Sequence, residues 1–88
     1  KAGDAKTDVV TIAGKCCESG DLIQENIMMP EIKVDDTLAI LATGAYNYSM
    51  ASNYNRIPRP PIVAVKGNEK KVIVKRETYD DIIRNDVL

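Results

Sequence analysis

The chain has 88 residues, 44% hydrophobic and 28% charged, and its 12 basic and 13 acidic side chains leave a formal net charge of -1. This composition predicts a small folded domain, because a disordered chain would have fewer aliphatic residues and a larger net charge. The balanced charge argues against a nucleic-acid partner, and no apolar run approaches the roughly 20 residues that span a bilayer. A cytoplasmic location is the default expectation.

The amino-terminal third is expected to contain one strand followed by a polar loop. Residues 1–7 are small and polar and predict a loose lead-in, whereas the β-branched run Asp8–Ala13 (DVVTIA) predicts a strand. A glycine ends this strand, and the turn-forming Ser-Gly-Asp that closes residues 14–21 (GKCCESGD) predicts a loop at the strand end. Residues 21–33 have no clear period and predict irregular or short extended pieces.

The middle of the chain is expected to hold a buried strand and a short helix. Residues 35–36 (DD) indicate a turn, and the nearly continuous apolar run 37–43 (TLAILAT) is typical of a strand buried on both faces. Residues 45–55 (AYNYSMASNYN) lack strand alternation and favour a short helix with Tyr46 in its first turn. The prolines of 57–61 (IPRPP) then force an extended course, since proline fixes its own φ and disfavours helix in the residue before it.

The last third of the chain predicts a hairpin and a terminal helix. Ile62–Lys66 and residues 71–75 alternate on either side of a Gly-Asn pair, which is a good hairpin signal. Thr78 and Asp81 form a capping-box pattern that predicts a short final helix. Residues 1–88 are therefore predicted to form one mainly β domain, a small β-sandwich or barrel with short helices.

The two adjacent thiols of the 14–21 loop require a chemical explanation. A disulfide between neighbouring residues is strained and rare, so Cys16 and Cys17 are expected to stay reduced. A thiol pair in a chain without histidine does not make a zinc site by itself. Two interpretations of Cys17 remain: a small packed hydrophobe, or a partly exposed thiol that the charge of Lys15 tunes for proton transfer.

Two further side chains each have a structural and a functional interpretation. Glu18 is either a solvated carboxylate on a turn or the partner of a cationic substrate group, to which a charge-assisted hydrogen bond gives direction. Tyr46 either packs the domain edge or, because it follows a strand and a glycine, aims its phenol at a phosphate or a cofactor ring. Asp21, which follows a glycine, is expected to be a structural residue, either turn-forming or at an interface, and not a catalyst.

Three blocks of sequence together resemble the carboxy-terminal part of the diaminopimelate decarboxylase family: AGKCCESGD at 13–21, ATGAYNYSMASNYNRIPRP at 42–60 and VKRETYDDIIRND at 74–86. They stand in the family's order and cover nearly the whole chain. The resemblance implies a pyridoxal-phosphate enzyme related to ornithine decarboxylase and alanine racemase, with an amino-terminal (β/α)8 barrel and a carboxy-terminal β domain. It also implies that this chain is the β domain alone, a fragment that opens without methionine and lacks the barrel with its cofactor lysine.

The resemblance also implies roles for three residues. Cys17, immediately before the Glu-Ser-Gly-Asp stretch, corresponds to the thiol that donates a proton after CO2 leaves, and Glu18 corresponds to the carboxylate that binds the far end of the substrate. Tyr46 corresponds to the tyrosine that contacts the cofactor phosphate and the substrate. In the family, the cysteine and the glutamate serve the other subunit of a head-to-tail homodimer, whereas the tyrosine serves its own. Cys16 is left as the packed thiol.

The implied activity of the intact enzyme is decarboxylation of meso-diaminopimelate to L-lysine and CO2, with pyridoxal 5′-phosphate as cofactor, the last step of lysine biosynthesis. The 88 residues alone are expected to be inactive. One alternative is a related decarboxylase for ornithine, arginine or a carboxylated polyamine. The CESGD motif, with Glu18, favours diaminopimelate over these substrates. Another is a stand-alone binding or interface module that has kept the sequence without the catalysis.

Overall fold

The computed structural model describes residues 2–88, which form two compact units, the first ending at Ala42 and the second comprising Thr43–Leu88. Within these described residues no side chain is buried, and large apolar groups such as Val34 and Leu41 are 92% and 83% exposed. The described residues therefore contain no hydrophobic core of their own. Their elements are held by strand ladders, turns and caps.

The first unit is built on an antiparallel hairpin of strands β1 (Asp8–Ala13) and β2 (Leu22–Met29). The register shifts twice, because β2 has one residue more than β1 at each irregularity. At the first shift Asn26 has a φ of 52°, and its backbone N–H donates to the Thr11 hydroxyl at 3.1 Å. A side-chain hydroxyl of β1 thus accepts from a backbone group at the bulge.

Strand β1 confirms the sequence-based prediction, but the prediction of irregular or short extended pieces for residues 21–33 is wrong over β2 and holds only for the residues that follow it. Leu22–Met29 is one strand paired with β1 along its length. Each extra residue shifts the alternation of side chains by one position. LIQENIMM therefore shows no period of two even though it forms one strand.

The turn predicted at residues 35–36 is confirmed. The Asp36 N–H donates to the Lys33 carbonyl at 3.1 Å, and the Lys33 N–H donates to Asp36 Oδ2 at 2.7 Å. Asp35, between them, has a φ of 72°, in the left-handed region that aspartate tolerates better than most residues.

The buried strand predicted for residues 37–43 is absent, and this prediction is wrong. The segment belongs to neither two-stranded sheet of the described residues, and most of its side chains are exposed. The physical reason is that a continuous apolar run indicates a need for burial but carries no information about the surface that would cover it.

The second unit contains a hairpin flanked by short helical pieces. In chain order its elements are α1 (Asn47–Met50), a 3-10 turn (Tyr54–Arg56), β3 (Ile62–Lys66), β4 (Glu69–Val74) and α2 (Tyr79–Ile83). Strands β3 and β4 pair antiparallel with Lys66 opposite Glu69, so Gly67 and Asn68 form a two-residue connection. Gly67 has a φ of 59°, which glycine adopts without a Cβ penalty. The predicted hairpin is confirmed, with β4 beginning two residues early.

The predicted capping box of the final helix is also confirmed. The Thr78 hydroxyl accepts from the Asp81 N–H at 3.3 Å, and Asp81 Oδ2 accepts from the Thr78 N–H at 2.8 Å. The Thr78 N–H, and after it the Thr78 hydroxyl, which lies 3.2 Å from the same Oδ2, lower the pKa of the Asp81 carboxyl below its ordinary value. Helix α2 thus begins at a cap that satisfies backbone donors at both Thr78 and Asp81.

The fold class agrees with the prediction: the chain is mainly β, with two antiparallel hairpins and short helices. The helix expected in residues 45–55 is present as α1, although Tyr46 is its N-cap and not part of its first turn. Within residues 2–88, no helix has the length and apolarity needed to cross a membrane.

Candidate functional site

The first candidate segment is the thiol loop, residues 14–21, which connects β1 to β2. The last ladder pair is Ala13 opposite Leu22. Immediately beyond it, the Gly14 N–H donates to the Asp21 carbonyl at 2.9 Å. The Gly14–Asp21 hydrogen bond therefore extends the β1–β2 hairpin to the two ends of the thiol loop.

Inside the thiol loop, three further hydrogen bonds hold the main chain. The Glu18 N–H donates to the Cys16 carbonyl at 2.9 Å, and the Asp21 N–H donates to the Glu18 carbonyl at 3.1 Å. The Asp21 side chain turns back into the loop, where Oδ2 accepts from the Cys16 N–H at 2.8 Å. Cys17 therefore lies between two residues whose backbones are both fixed.

The candidate side chains of the thiol loop face outward. Cys17 and Glu18 are exposed, whereas Cys16 is half-buried, and neither cysteine of the described chain forms a disulfide. This order of burial suits Cys17 as the accessible thiol and Cys16 as the packed one. The Glu18 carboxylate lies over Gly20, so near that a methyl group there would stand 2.7 Å from Oε2.

Tyr46, the third candidate residue, lies in the second unit. Its side chain is 72% exposed. Its backbone is fixed, because its carbonyl accepts from the Met50 N–H and from the Ser49 hydroxyl, each at 2.9 Å. A held backbone with an accessible phenol is the arrangement required for a hydroxyl that contacts an external partner.

A polar cluster that sequence analysis missed lies in the same unit, around Glu77. Glu77 Oε1 accepts from the Arg59 backbone N–H at 2.6 Å and from Asn53 Nδ2 at 2.9 Å, and Arg59 Nη1 lies 3.6 Å from Oε2. These contacts, the Arg59 N–H first and Asn53 second, lower the pKa of Glu77. No local spacing links the three residues, so the sequence carries no signal that would have revealed the cluster.

The Glu77 cluster also reaches the helix that follows Tyr46. Arg59 Nε donates to the carbonyl of Ala51, the C-cap of α1, at 3.3 Å. The Glu77 N–H donates to the Arg59 carbonyl at 3.2 Å. The carboxyl end of α1 is thereby tied to the segment that precedes α2.

A profile of the family described as pyridoxal-dependent decarboxylase, C-terminal sheet domain, matches residues 1–44, half of the chain. The chain belongs to this family. The matched half contains the whole thiol loop.

Individual relatives extend the likeness over the rest of the chain. The diaminopimelate decarboxylase of Bacillus subtilis is 55% identical over 87 residues, which are 99% of this chain and 20% of that protein. The Synechocystis enzyme of the same name is 47% identical over 88 residues, 100% of this chain and 19% of that protein. The chain therefore spans about a fifth of the length of these relatives.

A solved structure supports the fold. The crystal structure of diaminopimelate decarboxylase from M. jannaschii in complex with L-lysine superimposes with a TM-score of 0.86 and 42% sequence identity. The match covers 92% of this chain and 19% of that chain. The fold of the described residues is thus that of the family's carboxy-terminal domain.

The described residues suit a supporting role toward pyridoxal phosphate. Tyr46 offers one exposed phenol, a donor suited to a phosphate oxygen, and the thiol loop offers a thiol and a carboxylate. Two surface depressions, one along β2 and one on the β3–β4 hairpin, are lined by none of these three residues. These exposed groups are chemically suited to contact a cofactor, and neither depression is lined by them.

Proposed function

We propose that these residues are the carboxy-terminal domain of a diaminopimelate decarboxylase that converts meso-diaminopimelate to L-lysine and CO2. The observation that carries the proposal is the 55% identity to the B. subtilis enzyme over 99% of the chain, which includes both candidate segments. The M. jannaschii enzyme was crystallised with L-lysine, the product of the proposed reaction. The reaction would serve lysine biosynthesis in the cytoplasm.

Cys17 is proposed as the general acid. Pyridoxal phosphate, when bound, supplies an electron sink for the electron pair left by departing CO2. The Cys17 thiol then donates a proton to the substrate carbon that has lost the carboxylate. The exposure of Cys17 gives the thiol access to an external substrate, and the fixed backbones of Cys16 and Glu18 limit its approach to a narrow range of positions.

Glu18 is proposed to select the substrate. Diaminopimelate has an amino acid group at each end, so its distal ammonium is still present when the other end reacts. The exposed Glu18 carboxylate accepts a charge-assisted hydrogen bond from that ammonium. One loop thus places a proton donor and a substrate anchor on consecutive residues.

Tyr46 is proposed to donate a hydrogen bond from its phenol to a phosphate oxygen of the cofactor and to contact the substrate. The fixed carbonyl of Tyr46 at the start of α1 holds the Cα of the residue while the ring stays accessible. A phenol O–H is a suitable donor here, since hydrogen bonds to charged acceptors are stronger than those between neutral groups.

A homodimer with shared active sites is proposed as the working state. The thiol loop presents exposed functional groups at the end of a hairpin, and its substrate is proposed to be held by a surface outside this loop. We assign that surface to a second subunit for Cys17 and Glu18, and Tyr46 to the site of its own subunit, in accordance with the family resemblance. The exposed apolar side chains of both units leave ample surface for such packing.

The test is a substrate comparison on the complete enzyme that carries these residues. With meso-diaminopimelate we expect equal amounts of CO2 and lysine, and little turnover of ornithine, arginine or a carboxylated polyamine. If the enzyme prefers one of those three compounds, that compound and not diaminopimelate is its substrate. Absence of turnover with all of them would indicate an interface module. The 88 residues alone should be inactive, and specific trapping of the cofactor on one of their lysines by borohydride would contradict that expectation.

A further inference from the structure

Asp21 makes one hydrogen bond within the thiol loop beyond the two backbone bonds that close the turn. Its backbone N–H and carbonyl pair with Glu18 and Gly14, as expected where a loop closes. Its carboxylate adds a hydrogen bond to the Cys16 N–H at 2.8 Å. The Cys16 N–H belongs to the peptide bond that precedes Cys16. The Asp21 carboxylate therefore fixes the backbone one residue before Cys17, the candidate proton donor.

Gly14 makes room for this carboxylate. A Cβ on Gly14 would overlap the Asp21 carboxyl group itself. The restriction is one of space and not of backbone conformation, because among the described glycines a positive φ occurs only at Gly67. Alanine at position 14 is therefore incompatible with the Asp21–Cys16 hydrogen bond in its present geometry.

We propose that Gly14 and Asp21 form a lock that positions the Cys17 thiol for proton donation, which makes Asp21 a positioning residue. The inference rests on the proposed decarboxylase function and deepens it. Without the lock the loop stays attached through the β1–β2 ladder and the Gly14–Asp21 backbone bond, but the peptide leading to Cys17 loses its fixed position. A displacement of about 1 Å at a reacting group costs roughly 100-fold in rate.

The proposal predicts a specific dependence between two substitutions. Asp21→Ala removes the carboxylate, and Gly14→Ala displaces it, so each should lower kcat for diaminopimelate by about 10- to 100-fold while changing KM by less than about 3-fold. In the double variant, the methyl group at position 14 meets no carboxylate. Gly14→Ala should therefore cost activity in the parent and nothing further in the Asp21→Ala background.

The experiment uses the complete enzyme loaded with cofactor, and it records kcat, KM, cofactor content and the unfolding midpoint for each variant. Asp21→Asn keeps an oxygen acceptor of the same shape and should retain most of the activity, which a role for charge alone would not allow. Gly3→Ala is the matched control, because nothing lies within 4 Å of a Cβ there. It should behave as the parent.

Two outcomes would overturn the positioning role. One is Asp21→Ala with kcat within about 3-fold of the parent at equal cofactor content. The other is additive losses in the double variant, which would mean that the two residues act separately. If Gly14→Ala fails to fold, the comparison of Asp21→Ala with Asp21→Asn decides. A parent that turns over no diaminopimelate would overturn the proposed function and this inference with it, whereas an active parent with an inactive Cys17→Ala variant and a normal Asp21→Ala variant would overturn the inference alone.

Discussion

The two compact units each contain one antiparallel hairpin, but they place their side-chain hydrogen bonds differently. In the first unit a side chain braces the hairpin connection itself, through Asp21 and the Cys16 amide. In the second unit the connection is only Gly67 and Asn68, and the side-chain bonds around Glu77 lie outside the hairpin. Side-chain hydrogen bonds thus hold the irregular backbone that precedes Cys17 in one unit and follows Tyr46 in the other.

The difference follows from the lengths of the two connections. A two-residue hairpin connection is determined by backbone conformation, here the positive φ of Gly67. The thiol loop, residues 14–21, has no such local rule and needs its own hydrogen bonds to adopt one conformation. The longer loop carries the exposed side chains of Cys17 and Glu18, whereas the tight turn consists only of Gly67 and Asn68.

The largest expected effect lies in the braced loop. Cys17→Ala should lower kcat for diaminopimelate by about 10²- to 10⁴-fold, the usual contribution of a general acid. Cys16→Ala is the control, because it removes the half-buried thiol but keeps the backbone N–H that Asp21 accepts. Steady-state decarboxylation rates of the complete enzyme provide the measurement. Equal losses in the two variants would mean that the order of burial does not identify the working thiol.

The next effect concerns the second unit. Tyr46→Phe removes a phenol that is proposed to contact a phosphate, and such a hydrogen bond to a charged group contributes about 1.5 to 3 kcal/mol. The cofactor should therefore dissociate more readily, with affinity lowered by about 10- to 150-fold. Cofactor remaining after dialysis against cofactor-free buffer gives the readout, with Tyr48→Phe as the control. Equal retention by the two variants and the parent would remove Tyr46 from the cofactor site.

The elements that the sequence predicted correctly are those with local signals. Strand β1 follows from β-branched residues, the β3–β4 hairpin from its Gly-Asn pair, and helix α2 from its capping box. Strand β2 was missed because its two bulges disrupt the alternation of side chains. The prediction of a buried strand at 37–43 was wrong because apolar character alone does not identify the surface that covers a segment.

The candidate residues were available from the sequence only through family resemblance. Composition and spacing left Cys17, Glu18 and Tyr46 with a structural and a functional interpretation each. Asp21 was expected to be structural, and the contact between its carboxylate and the Cys16 N–H depends on the return of the chain across the loop. The residues of the Glu77 cluster meet only in the folded chain, since Asn53 and Glu77 are 24 positions apart.

A smaller effect is expected in the tight hairpin. Gly67→Ala places a Cβ in the left-handed region and should destabilise the hairpin by about 1 kcal/mol, whereas Gly67→Asn should cost less because asparagine tolerates that region. Hydrogen exchange of the β3 and β4 amides in the complete enzyme measures this, and kcat should stay unchanged in both variants. If alanine at position 67 is tolerated as well as asparagine, the positive φ of Gly67 does not determine this turn.

The smallest effect is a pH dependence in the Glu77 cluster. The pKa of Glu77 is lowered in the folded chain, first by the Arg59 N–H, so its carboxylate stabilises the fold fully above its ordinary pKa. This contribution is lost as the pH falls through the lower folded pKa. Protection of the Arg59 amide, corrected for intrinsic exchange, should fall over that acidic range. Glu77→Gln should remove this dependence. An unchanged profile in the variant would assign it to other carboxyl groups, such as Asp81 and Asp86, whose pKa values are also lowered.

Subunit mixing tests most directly whether the thiol loop completes the active site of the partner subunit. One enzyme carries Cys17→Ala, and the other lacks the cofactor lysine of the barrel, so each alone is nearly inactive. If Cys17 serves the partner subunit, random exchange makes about half of the dimers mixed, each with one intact site, and activity should return to about a quarter of the parent. If activity does not rise after confirmed exchange of subunits, Cys17 does not act across the interface, and the shared-site account is contradicted.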